Sequence, residues 1–244
     1  MEVYLIRHAQ SYNNAVGEEN RVEDPPLTEV GQQQAQLLAN YFETQSNIDA
    51  IVTHNTESET RHERAEFGIT HLYTSAMHRT LQTSLPLSKV LGLTPQIWVD
   101  THEIGGIYLE KDGLSSGFGG ITRSRIESEF AGYHIPNEVT EAGWWNAERG
   151  QEARIDGLAR ALRVADALRR RAAIEEHQHD RVALVSHGAF LDKLLKAFAE
   201  RLPGDGYFQW LYNTSITRVD IGADGFIMTR YVNRIGHLPP ELVT

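Results

Sequence analysis

Cysteine is absent from this chain of 244 residues. That excludes disulfides, thiolate metal ligands and a thiol nucleophile together, and it favours a cytoplasmic home. Long apolar runs are missing as well, since no stretch approaches the roughly 20 residues that a membrane-spanning helix needs. The first residues are acidic and strand-like, so a secretory leader, with its basic and apolar regions, is not expected. Positive charge is scarce. Lys and Arg number 23 against 33 Asp and Glu, a formal net charge of −10, which argues against nucleic acid or an anionic membrane as a general partner. An anionic ligand must then be met locally, by a few converging cations. Linkers rich in Pro, Ser or Gly, internal repeats and low-complexity tracts are also lacking. The chain therefore reads as a single domain over residues 1–244, long enough to bury a full core.

What is present is an alternation of strand-like and helix-like segments. Val3 to Ile6 forms a short apolar strand that runs into Arg7-His8, and Val182 to Val185 forms another that runs into Ser186-His187-Gly188. Two such strands, each delivering a histidine at its C-terminal end, are what an open parallel sheet needs to set two imidazoles side by side in one crevice. Phosphoryl chemistry is the natural use of that pair. Between them, a loop over 8–26 leads to a helix with Thr28 as N-cap and a buried stripe of Ala35, Leu38, Ala39 and Phe42. A strand from Ile69 to Tyr73 precedes a helix from Met77 to Leu91, capped by Gly92 and kinked at Pro86. Gln96 to Val99 is a third strand. A long helix spans about Gln151 to Ile174, with Leu158, Ala161, Leu162, Ala165 and Leu168 on one face. A helix from Ala189 to Glu200 and strands around Ile216–Ile221 and Phe226–Val232 complete the pattern. The fold class is therefore α/β: a three-layer α/β/α sandwich with a mostly parallel central sheet.

The residues around the histidines resemble a known family. Leu5-Ile6-Arg7-His8-Ala9-Gln10-Ser11-Tyr12-Asn13-Asn14 is similar to the signature of the histidine phosphatase superfamily, the phosphoglycerate-mutase-like enzymes, whose usual form is Arg-His-Gly-Glu-Thr with an Asn three residues on. Further blocks agree in order: Pro26 to Gly31, Thr74 to Thr80 with Arg79, His102-Glu103, and Ser186-His187-Gly188. The likeness spans nearly the whole chain. Ala9 departs from the family's usual Gly and raises the question of whether a methyl group fits beside the nucleophile.

The resemblance implies a small phosphorylated substrate and assigns roles. Arg7 and Arg79 form a guanidinium clamp on the phosphoryl group. His8 is the nucleophile, kept neutral by the flanking arginines, and forms a phosphohistidine. His187 bonds a phosphoryl oxygen, while Ser11, Asn14, Ser75 and Gly188 line the phosphate site. Glu103 gives the leaving group its proton and then serves as base for water. Gln10, where the family often has Glu, is either at the substrate's edge or simply a polar loop residue. This scheme uses no metal and no cofactor.

The remaining segments are less specific. The chain carries 11 histidines, and His62 and Glu66, with Glu59 and Glu63 nearby, would share a helix face at metal-ligand spacing. A solvated helix within an insertion at about 46–68 is the simpler reading. That insertion either covers the pocket mouth or mediates self-association into a homo-oligomer. His177-Gln178-His179-Asp180 reads as a polar turn. Residues 105–147 read as a mobile glycine-rich loop followed by a helical lid, in which Trp144 and Trp145 either floor an apolar leaving group or pack the lid, and Arg123 and Arg125 either hold a second anion or are surface charges. The family's cofactor-dependent mutases continue after the acid with Arg-His-Tyr-Gly and carry paired lid arginines. Ile104-Gly105-Gly106-Ile107-Tyr108 and Thr122-Arg123-Ser124-Arg125 depart from that, so the resemblance favours a phosphatase over a phosphoglycerate mutase. A silent phospholigand-binding module is the alternative of another class, and fold alone would not decide it.

Overall fold

The computed structural model describes residues 1–46, 67–201 and 206–244. The cluster of Glu59, His62, Glu63 and Glu66, and all but the ends of the expected insertion, lie outside the described residues. The chain enters a strand at once, β1 (Glu2–Arg7), then makes one helical turn, α1 (Tyr12–Ala15), within the expected loop. Thr28 caps α2 (Glu29–Ser46), its Oγ1 accepting the Gly31 N–H at 3.0 Å. Next come β2 (His71–Thr74) and α3 (His78–Leu91), which continues through Pro86 to a left-handed Gly92. β3 (Gln96–Ile97) is shorter than its sequence pattern, because the chain coils into a 3-10 turn at Val99–Thr101. After the lid come α5 (Arg154–Ala173), β6 (Arg181–Ser186), α6 (Gly188–Phe198), β7 (Ile216–Ile221) and β8 (Ile227–Arg234). The lid itself supplies the intervening β4, β5 and α4, described below.

The six-stranded sheet has the order β3-β2-β6-β1-β7-β8. β1, β2, β3 and β6 pair in parallel, and β7 and β8 add an antiparallel edge. β1 is buried on both sides, so its alternation sorts residues between two cores rather than between core and water. Val3 and Leu5 face α5 and α6, packing with Ala161, Val164, Leu168, Phe190 and Leu194. Tyr4 and Ile6 face α2 and α3, packing with Leu38, Phe42, Phe67 and Leu87. This is the three-layer α/β/α arrangement. Leu162, expected on the buried face of α5, is exposed, and Val164 takes the inward place.

Residues 105–147, expected as a loop and a lid, form regular, packed structure. Tyr108–Lys111 (β4) and Leu114–Gly117 (β5) form an antiparallel hairpin about Asp112-Gly113, both with positive φ as a two-residue hairpin turn requires. Arg123–Glu129 (α4) follows, capped by Thr122. Ile107, Ile121, Ile126, Phe130, Tyr133, Val139, Trp144 and Trp145 make a third core against Met77, Leu81 and Ile97. Trp144 and Trp145 thus pack the lid.

Candidate active site

The C-terminal ends of β1, β2 and β6 converge, and the backbone that carries His8 is held from several sides. Arg7 N–H donates to Ser215 O (3.2 Å), His8 N–H to Ser186 O (2.8 Å), and Thr214 N–H to Arg7 O (3.0 Å). Asn213 Nδ2 donates to His8 O at 2.7 Å, and Ala9 N–H to Thr83 Oγ1 at 3.0 Å. The Ala9 methyl is fully buried against Leu27 and Ala35, so an alanine fits where the resemblance led one to expect glycine.

The His8 ring has one tautomer that satisfies its neighbours. Nδ1 lies 2.7 Å from Ala9 O and must donate, while Nε2 accepts from Arg79 Nε at 3.2 Å. Neutral imidazole with its proton on Nδ1 is the species that fits, with the Nε2 lone pair directed at the guanidinium. Burial, then the charges of Arg79 and Arg7, hold the His8 pKa well below its usual value. His187 packs beside it with ring centroids 5.2 Å apart, and its Nε2 shares a 2.8 Å hydrogen bond with Ser75 Oγ. Burial, Arg79 and His8 depress His187 as well. Arg7 Nη1 donates to Leu211 O at 2.5 Å. Arg7 Nε and His187 Nδ1 are buried without a protein hydrogen-bond partner. Buried polar atoms are rarely left so, and two in one cluster mark where an anionic substrate group would be held. Gly188 lies close to the clamp: a Cβ there would sit 3.3 Å from Arg7 Nε, a tight contact that would press on this guanidinium.

Glu103 is placed by the start of α6. Its Oε1 accepts N–H groups from Ile104 and Phe190, both at 2.8 Å, and its Oε2 accepts from Ala189 at 3.2 Å. A carboxylate at a helix N-terminus is favourably sited. Burial lowers the pKa of Arg7 and of Arg79, and the Glu103 carboxylate pushes both back up, with Asp24 doing so for Arg79. Behind Glu103 lies Arg160, 2% exposed, which sequence reasoning placed only as a helix residue. Its guanidinium pairs with Glu152 (2.7 and 3.0 Å) and donates to the carbonyls of Asp100 (2.8 Å) and His102 (2.7 Å). It ties the turn bearing Glu103 to α5. His102 packs between this pair and the two tryptophans, tilted against Trp144 at 5.0 Å and edge-on to Trp145 at 5.3 Å between centroids.

The other expected residues divide. Ser11 is buried and, with its N–H and Oγ, donates to Asn14 Oδ1 at 3.1 and 3.0 Å, which orients the exposed Asn14. Gln10 Oε1 accepts from Thr28 Oγ1 at 2.6 Å, joining the loop to the start of α2. Arg123 is not brought to the cluster, a correction to its expected substrate role. Its guanidinium donates to the carbonyls of Val139, Ile135 and Pro136 and cross-braces the lid. Arg125 pairs with Glu129 at 2.6 Å. Asp180 takes up His177 and Arg171, consistent with a polar turn. Among the described residues, no group of three or more His, Cys, Asp or Glu could hold a metal ion, and no helix is long and apolar enough to cross a membrane. Asp24 went unremarked, yet its Oδ1 accepts the His78 N–H at 3.0 Å and burial raises its pKa. The Asn213-Thr214-Ser215 turn was also overlooked; a polar triplet directly before a strand was the available signal.

Comparison with known proteins agrees with this architecture. The model of the histidine phosphatase superfamily (branch 1) matches residues 3–59 and 56–234. A protein of Yersinia pestis named "Probable phosphoglycerate mutase GpmB" is 32% identical over 241 residues, covering 95% of this chain and 90% of its own length. Its counterpart in Photorhabdus laumondii is 28% identical, covering 90% and 85%. Among solved structures, a mycobacterial glucosyl-3-phosphoglycerate phosphatase superimposes with a TM-score of 0.59 at 20% identity, covering 96% of this chain and 99% of that one. A phosphoserine phosphatase from Entamoeba histolytica gives the same TM-score and identity, covering 98% and 99%. These structures share the α/β fold with its mostly parallel sheet.

Proposed function

The chain belongs to the histidine phosphatase superfamily, and on that footing we propose that it is a metal-independent phosphatase of small phosphomonoesters, working through a phosphohistidine on His8. The observation that carries this reading is the fixed tautomer of His8. With its proton held on Nδ1 by Ala9 O, the ring presents the Nε2 lone pair beside two arginines. An arriving phosphoryl group takes over the Arg79 guanidinium and frees that lone pair. Glu103 enters this step in its protonated form: Nε2 attacks phosphorus, the bond from phosphorus to the ester oxygen breaks, and that oxygen takes the Glu103 proton, leaving the carboxylate. Positive charge growing on the His8 ring is shared with Ala9 O through Nδ1–H. Arg7, Arg79 and His187 spread the charge on the transferring oxygens. In the second half water attacks the phosphohistidine, Glu103 receives its proton, and Nε2 departs with its lone pair restored.

The curated relatives carry the name of a mutase, which keeps phosphoglycerate mutase as the second reading. Hydrolysis is favoured by the lid, where Arg123 is committed to three backbone carbonyls and Arg125 to Glu129. Neither arginine is held ready for the second anionic group that a phosphoglycerate carries. The test is release of inorganic phosphate from a panel of monoesters that includes 3-phosphoglycerate, run in chelator beside His8→Ala. Release that survives chelation and vanishes in the variant supports the reading. Isomerisation of phosphoglycerate without release would replace it with mutase, and neither activity would leave a phospholigand-binding module.

A further inference from the structure

Three aromatic side chains that no step above uses stand in the open on the segment leading to Leu211, and one of them, Trp210, lies beside Arg7. Tyr207, Phe208 and Trp210 are 51%, 50% and 65% exposed, whereas tryptophan is on average among the more buried residues. The segment that carries them is not loose. Gln209 N–H donates to the fully buried Asp192 Oδ1 at 2.9 Å, and Lys196 Nζ donates to Tyr207 O. Asn233 Nδ2 donates to Trp210 O at 3.1 Å and Arg7 Nη1 to Leu211 O at 2.5 Å, while the Leu211 side chain is in the core. The backbone is thus anchored at successive residues, and the rings are left outward by construction. The Trp210 ring lies 6.0 Å from the Arg7 guanidinium, and Phe208 stands edge-on to it with centroids 6.4 Å apart.

We propose that Trp210, with Phe208 at its edge, is a platform for the leaving group, and that the protein prefers phosphomonoesters whose alcohol part is aromatic. This deepens the phosphatase reading and rests on it. Arg7 ties the two sites together: its guanidinium feels the Glu103 carboxylate, the leaving group's proton donor, and also carries the Trp210 ring. A leaving group that departs past Glu103 and over Arg7 meets an aromatic face, where stacking rewards a planar ring. Charge points the same way, because the chain is net acidic and the lid arginines are already engaged. Lys196 and Arg201 lie over the Tyr207 ring, at 5.7 and 5.6 Å, while the Trp210 and Phe208 faces offer stacking, which a neutral aromatic leaving group uses without a cation of its own.

The experiment compares 1-naphthyl phosphate with glycerol 3-phosphate for the wild type, Trp210→Ala and Trp210→Phe. The ratio of kcat/KM for the naphthyl over the glycerol ester is expected to fall about tenfold in Trp210→Ala, mostly through KM, and to recover largely in Trp210→Phe. A ratio unchanged by Trp210→Ala overturns the proposal. Equilibrium binding of 1-naphthyl phosphate and of inorganic phosphate to His8→Ala separates this failure from that of the phosphatase reading. If the wild type turns over no monoester, the phosphatase reading falls. A preference of about tenfold for the naphthyl ester in His8→Ala, lost when Trp210→Ala is added, would still support the platform. Equal binding of the two anions would sink it.

Discussion

At the scale of single residues, the site depends on keeping His8 neutral while surrounding it with positive charge. Arg79 does both, since its Nε–H fixes the Nε2 lone pair and its charge helps depress the His8 pKa. Arg79→Met should therefore lower kcat/KM by roughly 100- to 1,000-fold. It should also move the acid limb of the pH profile upward, towards the ordinary histidine range, because a charge that opposed protonation is gone. A pH series of kcat/KM on the two proteins checks both, and an unmoved limb would mean that His8 is not the group titrating. Glu103→Gln is expected to act selectively. Its amide has a single oxygen, so it cannot accept from both Ala189 and Phe190 as the two carboxylate oxygens do, and it has no acidic proton to give. Turnover of an alkyl phosphate should drop by about 100-fold or more, while a 4-nitrophenyl ester, whose leaving group needs no proton, should lose less than about tenfold. Equal losses on both esters would remove Glu103 from proton transfer. Arg7, His8, Glu103 and His187 could be brought together in sequence because each lies at or just beyond the end of a strand pattern, and Arg79 because its block resembles that of the family. Arg123 was misleading, for nothing in Thr122 to Arg125 says that three carbonyls from 135–139 will close on its guanidinium.

At the scale of elements, the alternation of strands and helices was readable and the ends were not. β3 stops at Ile97 because the next residues coil into the 3-10 turn that Arg160 then grips. The β4–β5 hairpin carried a usable Asp112-Gly113 signal, hidden by the density of glycine around it. The largest omission was Arg160, since a buried arginine looks in sequence like any other charge on a helix. Its removal should be costly. Arg160→Met leaves Glu152 buried beside His102 without its ion-pair partner, a loss of about 3–5 kcal/mol in urea unfolding. Adding Glu152→Met should recover part of that stability without restoring turnover of alkyl phosphates, because the carbonyls of Asp100 and His102 would still lack their donor. Recovery of both together would reduce Arg160 to a stabilising contact with no part in placing Glu103.

At the scale of the whole molecule, one sheet brings distant segments to a single edge, and the consequence is a set of histidines buried without charge. His8, His102 and His187 are at most 4% exposed, and burial is the leading cause that lowers each pKa. His237 is pushed down to about 4, by burial and then by Arg234. In the unfolded chain all four titrate near 6.5. As pH falls below that value the unfolded state takes up protons that the folded state refuses, so stability must decline, by about 1.4 kcal/mol per pH unit for each histidine that stays neutral. Carboxylates held down by partners, such as Glu152 at about 2 and Asp220, add their losses only near and below pH 4, where their unfolded counterparts protonate. Between pH 6.5 and 5 the histidines therefore lead, joined by His71 and His78, which burial also lowers, and opposed by Asp24, which burial raises; these three are common to the wild type and to a variant changed only at His8 and His187. Urea unfolding across this interval should show a steep fall in the wild type and a slope shallower by about two protons in His8→Asn with His187→Asn. Identical slopes would mean that the two active-site rings accept protons in the folded state. They would then also be too charged for Nε2 of His8 to attack phosphorus in mildly acidic solution.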